Sequence, residues 1–250
     1  MPSTTPTARA QLAFAAAAVR AQLRQLPAAT RAHLRARHGA DPASVTLADP
    51  PDGALARTAL ELARDSSASW LLHHSLRCWL WADLLATTTR ERVGYDPELL
   101  YVACVLHDIG LSDDHRPTGH AACFAVHGGE VARATALAAG AEAAFAQRIA
   151  DAIAAHMNVR VPLATGPEAH LLHAAAHLDV AGTRADQLDG AQILAVLRRH
   201  PRGDFALRFA DAMRREAVER PGSRAAVLWR SGMRIAIAAN PLDRYRDETR

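Results

Sequence analysis

The sequence predicts an all-α protein, and three observations carry that prediction. Half of the 250 residues are hydrophobic, and alanine, the strongest helix former, is abundant. Strand formers are sparse, and no alternating valine or isoleucine run occurs. Single polar residues recur at helical spacing on otherwise apolar faces, as in Leu71–Trp81 and Leu172–Asp179. The length suits one sizeable core, or a core domain with a helical extension. We therefore expect an N-terminal helical extension and linker over residues 1–53 and a helical domain over residues 54–250.

Residues 1–6 form a lead segment. Thr7–Gln25 and Ala28–Arg37 read as two helices separated at Pro27. His38–Gly53 is rich in Pro, Asp and Gly and reads as a linker or ordered loop. Ala54–Ala63 reads as a helix, with Asp65-Ser66-Ser67 as its stop and as the cap of the next. Helices are then expected at roughly 69–87, 97–108, 127–138, 141–157 and 168–181. The polar connection Ser112–Ala121 carries Asp113, Asp114, His115, Arg116 and His120, and is expected at the mouth of a site. Ala185–Arg199, Gly203–Arg220 and Ala225–Ala239 complete the bundle before an Arg- and Asp-rich tail. No internal repeat is present.

The formal charge is +3, and all 29 basic residues are arginine. Without lysine, neither a Schiff-base lysine nor a Walker-type phosphate loop is available. The arginines are dispersed, so a nucleic-acid partner is not expected. Cys78, Cys104 and Cys123 form no C-x-x-C pair and read as buried free thiols in a reducing cytoplasm. No apolar run reaches the ~20 residues of a membrane span. Leu12–Val19 is short and flanked by Arg9 and Arg20, so it reads as an amphipathic surface helix rather than a signal peptide. The expected partner is a small-molecule substrate, with no membrane; the oligomeric state is open, a homodimer being one option.

The chemistry concentrates at Tyr101–Leu111, where an aliphatic helix ends in the adjacent pair His107-Asp108. A charge at the end of an apolar helix needs compensation, and a bound cation would supply it while fixing His107. Further metal-ligand types follow the same pattern. His74 shares a face with Leu71, Cys78 and Trp81. His156 lies on the side of Ile149 and Ile153, and Asp179 on the side of Leu172, Ala175 and Ala176. His127 opens a helix ahead of Gly128 and Gly129, which would allow close approach of a helix or substrate. Several helices each turning one such group inward is how a metal site is built in a helical bundle. Arg77, one turn past His74, is placed either to anchor an anion or to bridge to a buried carboxylate. His170, His173 and His177 fall on one side of a helix, away from Asp179, and read as a solvated face.

The order H…HD…D, carried by His74, His107, Asp108 and Asp179, resembles the HD superfamily of metal-dependent hydrolases over roughly residues 70–240. The segments HSLRCWLW, CVLHDIGL, CFAVHGGEVA and IAAHMN are similar to its cyanamide-hydratase-like branch. The resemblance implies an HD-domain helical bundle in which His74, His107, Asp108 and Asp179 bind the metal and His156 lines the active site. Other HD branches hold two metals, a part that His127 and His156 would then play. His73 stands where the branch carries Asn, and Ala125 stands where it carries the Glu of its F-E-V segment. The second departure argues against cyanamide itself as substrate.

The expected cofactor is a divalent ion, zinc, iron or manganese, with one ion favoured over two. Such a site activates water at neutral pH, with His156, His127 and Arg77 as the expected catalytic side chains. The first function expected is a hydrolase or hydro-lyase acting on a small carbon–nitrogen electrophile. The alternatives are a phosphohydrolase of nucleotides or other phosphate esters, a diiron oxygenase, and a non-catalytic regulatory module.

Overall fold

The computed structural model describes residues 9–21, 41–88, 93–118 and 123–245. Among these residues the protein is all-α, with no strand. The elements are α1 (9–21), α2 (Ala54–Ser66), α3 (Ser69–Thr88), α4 (Pro97–Leu106), α5 (Phe124–Ala138), α6 (Ala143–Ala155), α7 (Pro167–Ala181), α8 (Gly190–Arg199), α9 (Phe205–Glu219), α10 (Arg224–Leu228) and α11 (Arg234–Ala238). The expected helix Ala28–Arg37 and His120 lie outside the described residues.

α4 is the axis of the bundle. Asp96 caps it by accepting from the Glu98 and Leu99 amides, and Pro97 fits the first turn, where no N–H is needed. Every residue from Leu99 to Leu106 is buried. A helix that is apolar all round must be surrounded, and α4 packs against α2, α3, α5, α6 and α7. It ends at Leu106, because Asp108 leaves helical geometry and the chain tightens into a 3-10 turn at Ile109–Leu111. The expected single helix to residue 108 is thus a shorter helix plus a turn, which points His107 and Asp108 out of the helix end.

Close backbone approach holds that turn in place. A Cβ on Gly110 would lie 2.4 Å from the Phe124 carbonyl oxygen, so only glycine lets the start of α5 seat against the turn. One turn along α5, a Cβ on Gly129 would lie 2.8 Å from the Ala150 carbonyl of α6. Of the two glycines expected to admit a neighbour, Gly129 admits α6, and Gly128 faces the turn at His107–Gly110.

Two apolar clusters fill the interior. The larger joins α2, α3, α4, α6, α7 and α8. The smaller gathers Leu71, Phe124, Met157, Phe205, Phe209 and Met213, with Ala18 of α1 packed among them. The expected last helix is interrupted at Gly232, whose φ of 107° no helix accommodates. The functional side chains lie between the two clusters.

Candidate metal centre

Three imidazoles and one carboxylate meet where α3, α4 and α6 converge. His74 projects from α3, while His107 and His156 follow the last residues of α4 and α6. His74, His107, Asp108 and His156 are all buried. Each imidazole is fixed through Nδ1. His107 Nδ1 donates to the Cys104 carbonyl at 2.7 Å, and His156 Nδ1 to the Ile153 carbonyl at 2.6 Å. His74 Nδ1 donates to Asp179 Oδ2 at 2.7 Å. A carbonyl or carboxylate accepts only from N–H, so in each neutral ring Nε2 carries the lone pair.

Those Nε2 atoms gather around His107 and Asp108, His107 being common to two groups close enough to hold an ion, one with His74 and Cys78 and one with Asp108 and His156. His74 Nε2 and His107 Nε2 are 3.1 Å apart. Both face Asp108 Oδ2, at 3.4 and 3.3 Å, and His156 Nε2 lies 3.4 Å from Asp108 Oδ1. Asp108 Oδ1 has no hydrogen-bond donor, which follows from the tautomers: the nitrogen facing it is a lone pair. Buried lone pairs facing one another and an ionised carboxylate require a positive charge among them. Burial pulls the His107 pKa down, but the Asp108 carboxylate outweighs it and leaves His107 above its ordinary value. Burial likewise pushes the Asp108 carboxyl up, and a protonated His107 holds it well below the usual carboxylate range. His156 is lowered by its burial. A proton on His107 is one source of the missing charge. A divalent cation is the other, and the donor set suits it: imidazole Nε2 atoms plus a carboxylate, each ring oriented by an outer partner.

Asp179, the remaining expected ligand, lies next to His74. Its carboxylate sits on the Nδ1 side of His74, away from the converging Nε2 atoms. Arg77 grips it with two bonds of 2.8 Å, and Trp81 Nε1 donates at 2.8 Å. Burial alone would raise the Asp179 pKa; Arg77 and Arg202 outweigh it and hold it well below the carboxylate range. Asp179 therefore has the geometry of a carboxylate that orients a metal-binding histidine.

Arg77 reads in the same way. Its remaining nitrogen, Nη1, donates to the His200 and Pro201 carbonyls at 3.3 and 3.0 Å. It is fully buried and stacks over Phe205 at 5.0 Å. Of the two roles expected for Arg77, the structure shows the bridge to a buried carboxylate. All three of its guanidinium nitrogens are engaged by Asp179 and these two carbonyls.

His127 lies apart from the cluster. The inward face of α5 carries Ala125, Gly128, Gly129, Ala132 and Ala136, and His127 falls on its flank. Among the described residues it belongs to no group close enough to hold an ion, and it does not line the cavity described below. The described part of the 112–121 connection lies elsewhere too. Asp113, Asp114 and Arg116 line a separate cleft with α9, and His115 faces Ser66 at 3.2 Å.

Burial pushes the Cys78 and Cys104 thiols up, and Cys78 stands with His74 and His107 in a group close enough to hold an ion. Cys78 Sγ lies 3.8 Å from both nitrogens of His74. A ligand aligned with Nε2 would be much nearer to one nitrogen than to the other.

A cavity of about 930 Å³ opens onto the cluster and is otherwise mostly apolar, with Met157, Val159, Val180, Phe209 and Leu228 in its walls. Ala17, Ala18 and Ala21 of α1 also line it. The sequence reading missed one group of lining residues. His170, His173 and His177, expected as a solvated face, border this cavity. They do point away from Asp179, but onto this half-open cavity. His173 Nδ1 donates to the His156 carbonyl at 3.0 Å and His170 Nδ1 to the Val161 carbonyl at 2.7 Å. Burial pushes His173 down to about 4 and His177 well below the ordinary range.

Comparison with known proteins agrees with this geometry. Residues 71–197 match the HD domain family. Two proteins of Saccharomyces cerevisiae, Cyanamide hydratase DDI2 and Cyanamide hydratase DDI3, are each 26% identical over 173 residues, covering 69% of this chain and 76% of theirs. The match begins at the helix that carries His74 and spans the His107-Asp108 turn, His156 and Asp179. No helix among the described residues is long and apolar enough to cross a membrane. The family match, the two relatives and a buried cluster able to hold a metal together support a metal-dependent hydrolase, and the chain belongs to the HD domain family, near its cyanamide-hydratase-like branch.

Proposed function

We propose that this protein is a single-metal hydrolase or hydro-lyase that adds water to a carbon–nitrogen electrophile, such as a substituted cyanamide or nitrile. One observation carries the reading: three imidazoles locked at Nδ1 turn their Nε2 lone pairs onto a buried carboxylate with an unbonded oxygen. We assign His74, His107, Asp108 and His156 as the ligands, and Asp179 as the group that orients His74. A divalent ion held there supplies Lewis acidity and brings a water's pKa toward neutrality.

The chain's own residues do the rest. Asp179, itself fixed by Arg77 and Trp81, keeps His74 in one tautomer and one orientation. The main-chain carbonyls of Cys104 and Ile153 do the same for His107 and His156. Asp108 Oδ1, facing the cavity side of the cluster, is the group placed to accept a proton from the attacking water. The apolar walls exclude bulk water and strengthen these interactions.

The cavity decides the size of substrate. About 930 Å³ lies near the top of the ~300–1,000 Å³ that encloses drug-sized ligands. A molecule as small as cyanamide would leave it nearly empty. Ala125, standing where the resembled branch has an acid, is fully buried beside apolar side chains. We therefore expect weak or absent turnover of cyanamide and better turnover of its alkyl- or aryl-substituted forms.

The alternatives find less support. A phosphohydrolase wants cations at the reacting group; Arg77 is committed to Asp179 and Arg116 lines another cleft, while Arg20, Arg160 and Arg184 border the cavity and keep this as the second reading. A diiron site would need His127, which stands apart. We also propose that residues 1–53 are an extension whose first helix closes one side of the cavity, and that the protein works in the cytoplasm.

The test is metal analysis together with hydration assays on cyanamide, an arylcyanamide and a nucleoside monophosphate. One ion per chain, arylcyanamide hydration, and loss of both in His107→Ala and His156→Ala are expected. Two irons per chain, or turnover of the nucleotide alone, would overturn the reading.

A further inference from the structure

We infer that His170, His173 and His177 form the acceptor wall of the substrate pocket and select a substrate whose body carries N–H donors, as a urea, amide or guanidine-like group does. The inference rests on the reading of the cavity as the substrate site and adds to it the chemistry of the pocket's far side.

The argument begins with tautomers. His170 and His173 each spend Nδ1–H on a main-chain carbonyl, of Val161 and His156 respectively. An imidazole that donates through Nδ1 offers a bare acceptor at Nε2. The three side chains border the cavity from one face of α7, at the i, i+3 and i+7 spacing that aligns them along a helix. The rings of His173 and His177 are 4.1 Å apart, so the two present a paired acceptor surface. The rest of the wall is largely aliphatic, with Arg20, Arg160 and Arg184 also on its border. In such a pocket a few fixed polar groups determine the orientation of the ligand.

This wall differs from the metal centre in one decisive way. The centre has a carboxylate among its imidazoles and can hold a cation. The α7 face has none, and among the described residues its histidines belong to no three-ligand group able to hold an ion. Neutral acceptors without a carboxylate are suited to hydrogen-bond donors. The His156 carbonyl ties the two groups together, since it anchors His173 while His156 Nε2 faces Asp108. A ligand bound along α7 is thereby held at a fixed distance from the reacting centre.

The probes are phenylurea and its fully N-methylated analogue, which keeps the ring and carbonyl but has no N–H. Binding is measured by calorimetry on zinc-loaded protein and again in excess chelator, so turnover is not needed. Phenylurea is expected to bind at least about tenfold tighter than the methylated compound, the difference that one or two hydrogen bonds produce. In His173→Leu/His177→Leu that preference should fall to within about twofold, while His173→Gln, which retains an acceptor, should keep most of it. Circular dichroism checks that each variant is folded, and the single variant His170→Leu provides a milder version of the same test. Equal affinity for the two probes in the parent protein would overturn the inference, as would an unchanged preference in the double variant. Zinc retained by His107→Ala/His156→Ala but lost on adding His173→Leu would also overturn it, by making the face a metal site. Loss of zinc binding with the probe preference intact in chelator would strike the proposed function alone.

Discussion

Asp108 and Asp179 are both buried aspartates on the walls of one bundle, and both stay ionised, yet for opposite reasons. Asp179 has its counter-charge built in: Arg77 grips both oxygens, Trp81 donates to one, and Arg202 adds a further cation at 3.5 Å. Asp108 faces only imidazoles whose nearest nitrogens are lone pairs, and one of its oxygens is unbonded. The first is a finished structural pair. The second is complete only with a proton or a cation. A buried carboxylate therefore marks a metal site by what its neighbours lack, and its burial alone does not distinguish the two cases.

The comparison is broken or sharpened most directly at Asp179. Removing one partner of a buried pair leaves the other charge uncompensated, which costs about 3–5 kcal/mol. Asp179→Asn should cost that much in urea unfolding of the chelated protein, because Arg77 stays buried. Asp108→Asn in the same chelated protein should cost less than about 1 kcal/mol, since it deletes a charge that has no fixed cation and a lost neutral hydrogen bond is worth no more. Equal losses in the two variants would show that the carboxylates play the same part.

Metal binding inverts the order. An ion at a hundred times its Kd stabilises the folded state by about 2.7 kcal/mol. Zinc should raise the Tm of the parent protein, and EDTA should reverse the rise. Asp108→Asn should respond little, whereas Asp179→Asn, though weakened, should still show a shift. A zinc response lost in Asp179→Asn and kept in Asp108→Asn would return Asp179 to the ligand set.

How far the sequence foretold this difference depends on the range of the interactions. His74, His107, Asp108 and His156 were legible because each is a polar residue on an apolar face or at its end, a purely local pattern. Asp179 was legible as buried for the same reason. Its partners were not, because Arg77 and Trp81 belong to α3, about a hundred residues earlier, and helical periodicity fixes a side without naming what stands opposite. The α7 histidines show the same limit. Their spacing correctly set them away from Asp179, but α1 and the segment around Gly232 enclose that side, so it is a cavity wall and not solvent. The glycines after His127 do serve close approach, Gly129 of α6 and Gly128 of the turn after α4. The bundle itself was readable throughout, apart from the breaks at Asp108 and Gly232, where single residues leave helical geometry.

Acid sharpens the comparison again, through the histidines near the centre. His173 is held at about 4 by burial, against roughly 6.5 in the unfolded chain. Between those values the unfolded state binds more protons, so stability falls as the pH falls. The contribution is fully present above about pH 6.5, is gone below about 4, and amounts to at most about 3 kcal/mol. His200, also lowered to about 4 by burial, acts in the same direction. In chelated protein, His173→Phe should flatten the urea-unfolding profile across this window. A slope unchanged from the parent would place the acid sensitivity elsewhere, with the carboxylates as the first suspects.

The smallest expected effect tests whether the centre holds one ion. His127 lies on the flank of α5, off the inward stripe formed by Ala125, Gly128, Gly129, Ala132 and Ala136, and only partly buried. It joins no ligand group among the described residues. A substitution at such a position changes stability by within about 0.5 kcal/mol. His127→Ala should therefore leave the Tm, the zinc content per chain and the hydration rate where they were. The informative quantity is the metal content, because a second ion would depend on this imidazole and on little else nearby. A fall from two ions per chain to one on His127→Ala would show that the site around Asp108 is half of a larger centre. Unchanged content of one ion would leave the proton or cation at Asp108 as the single missing charge in an interior otherwise paired by Arg77 and its neighbours.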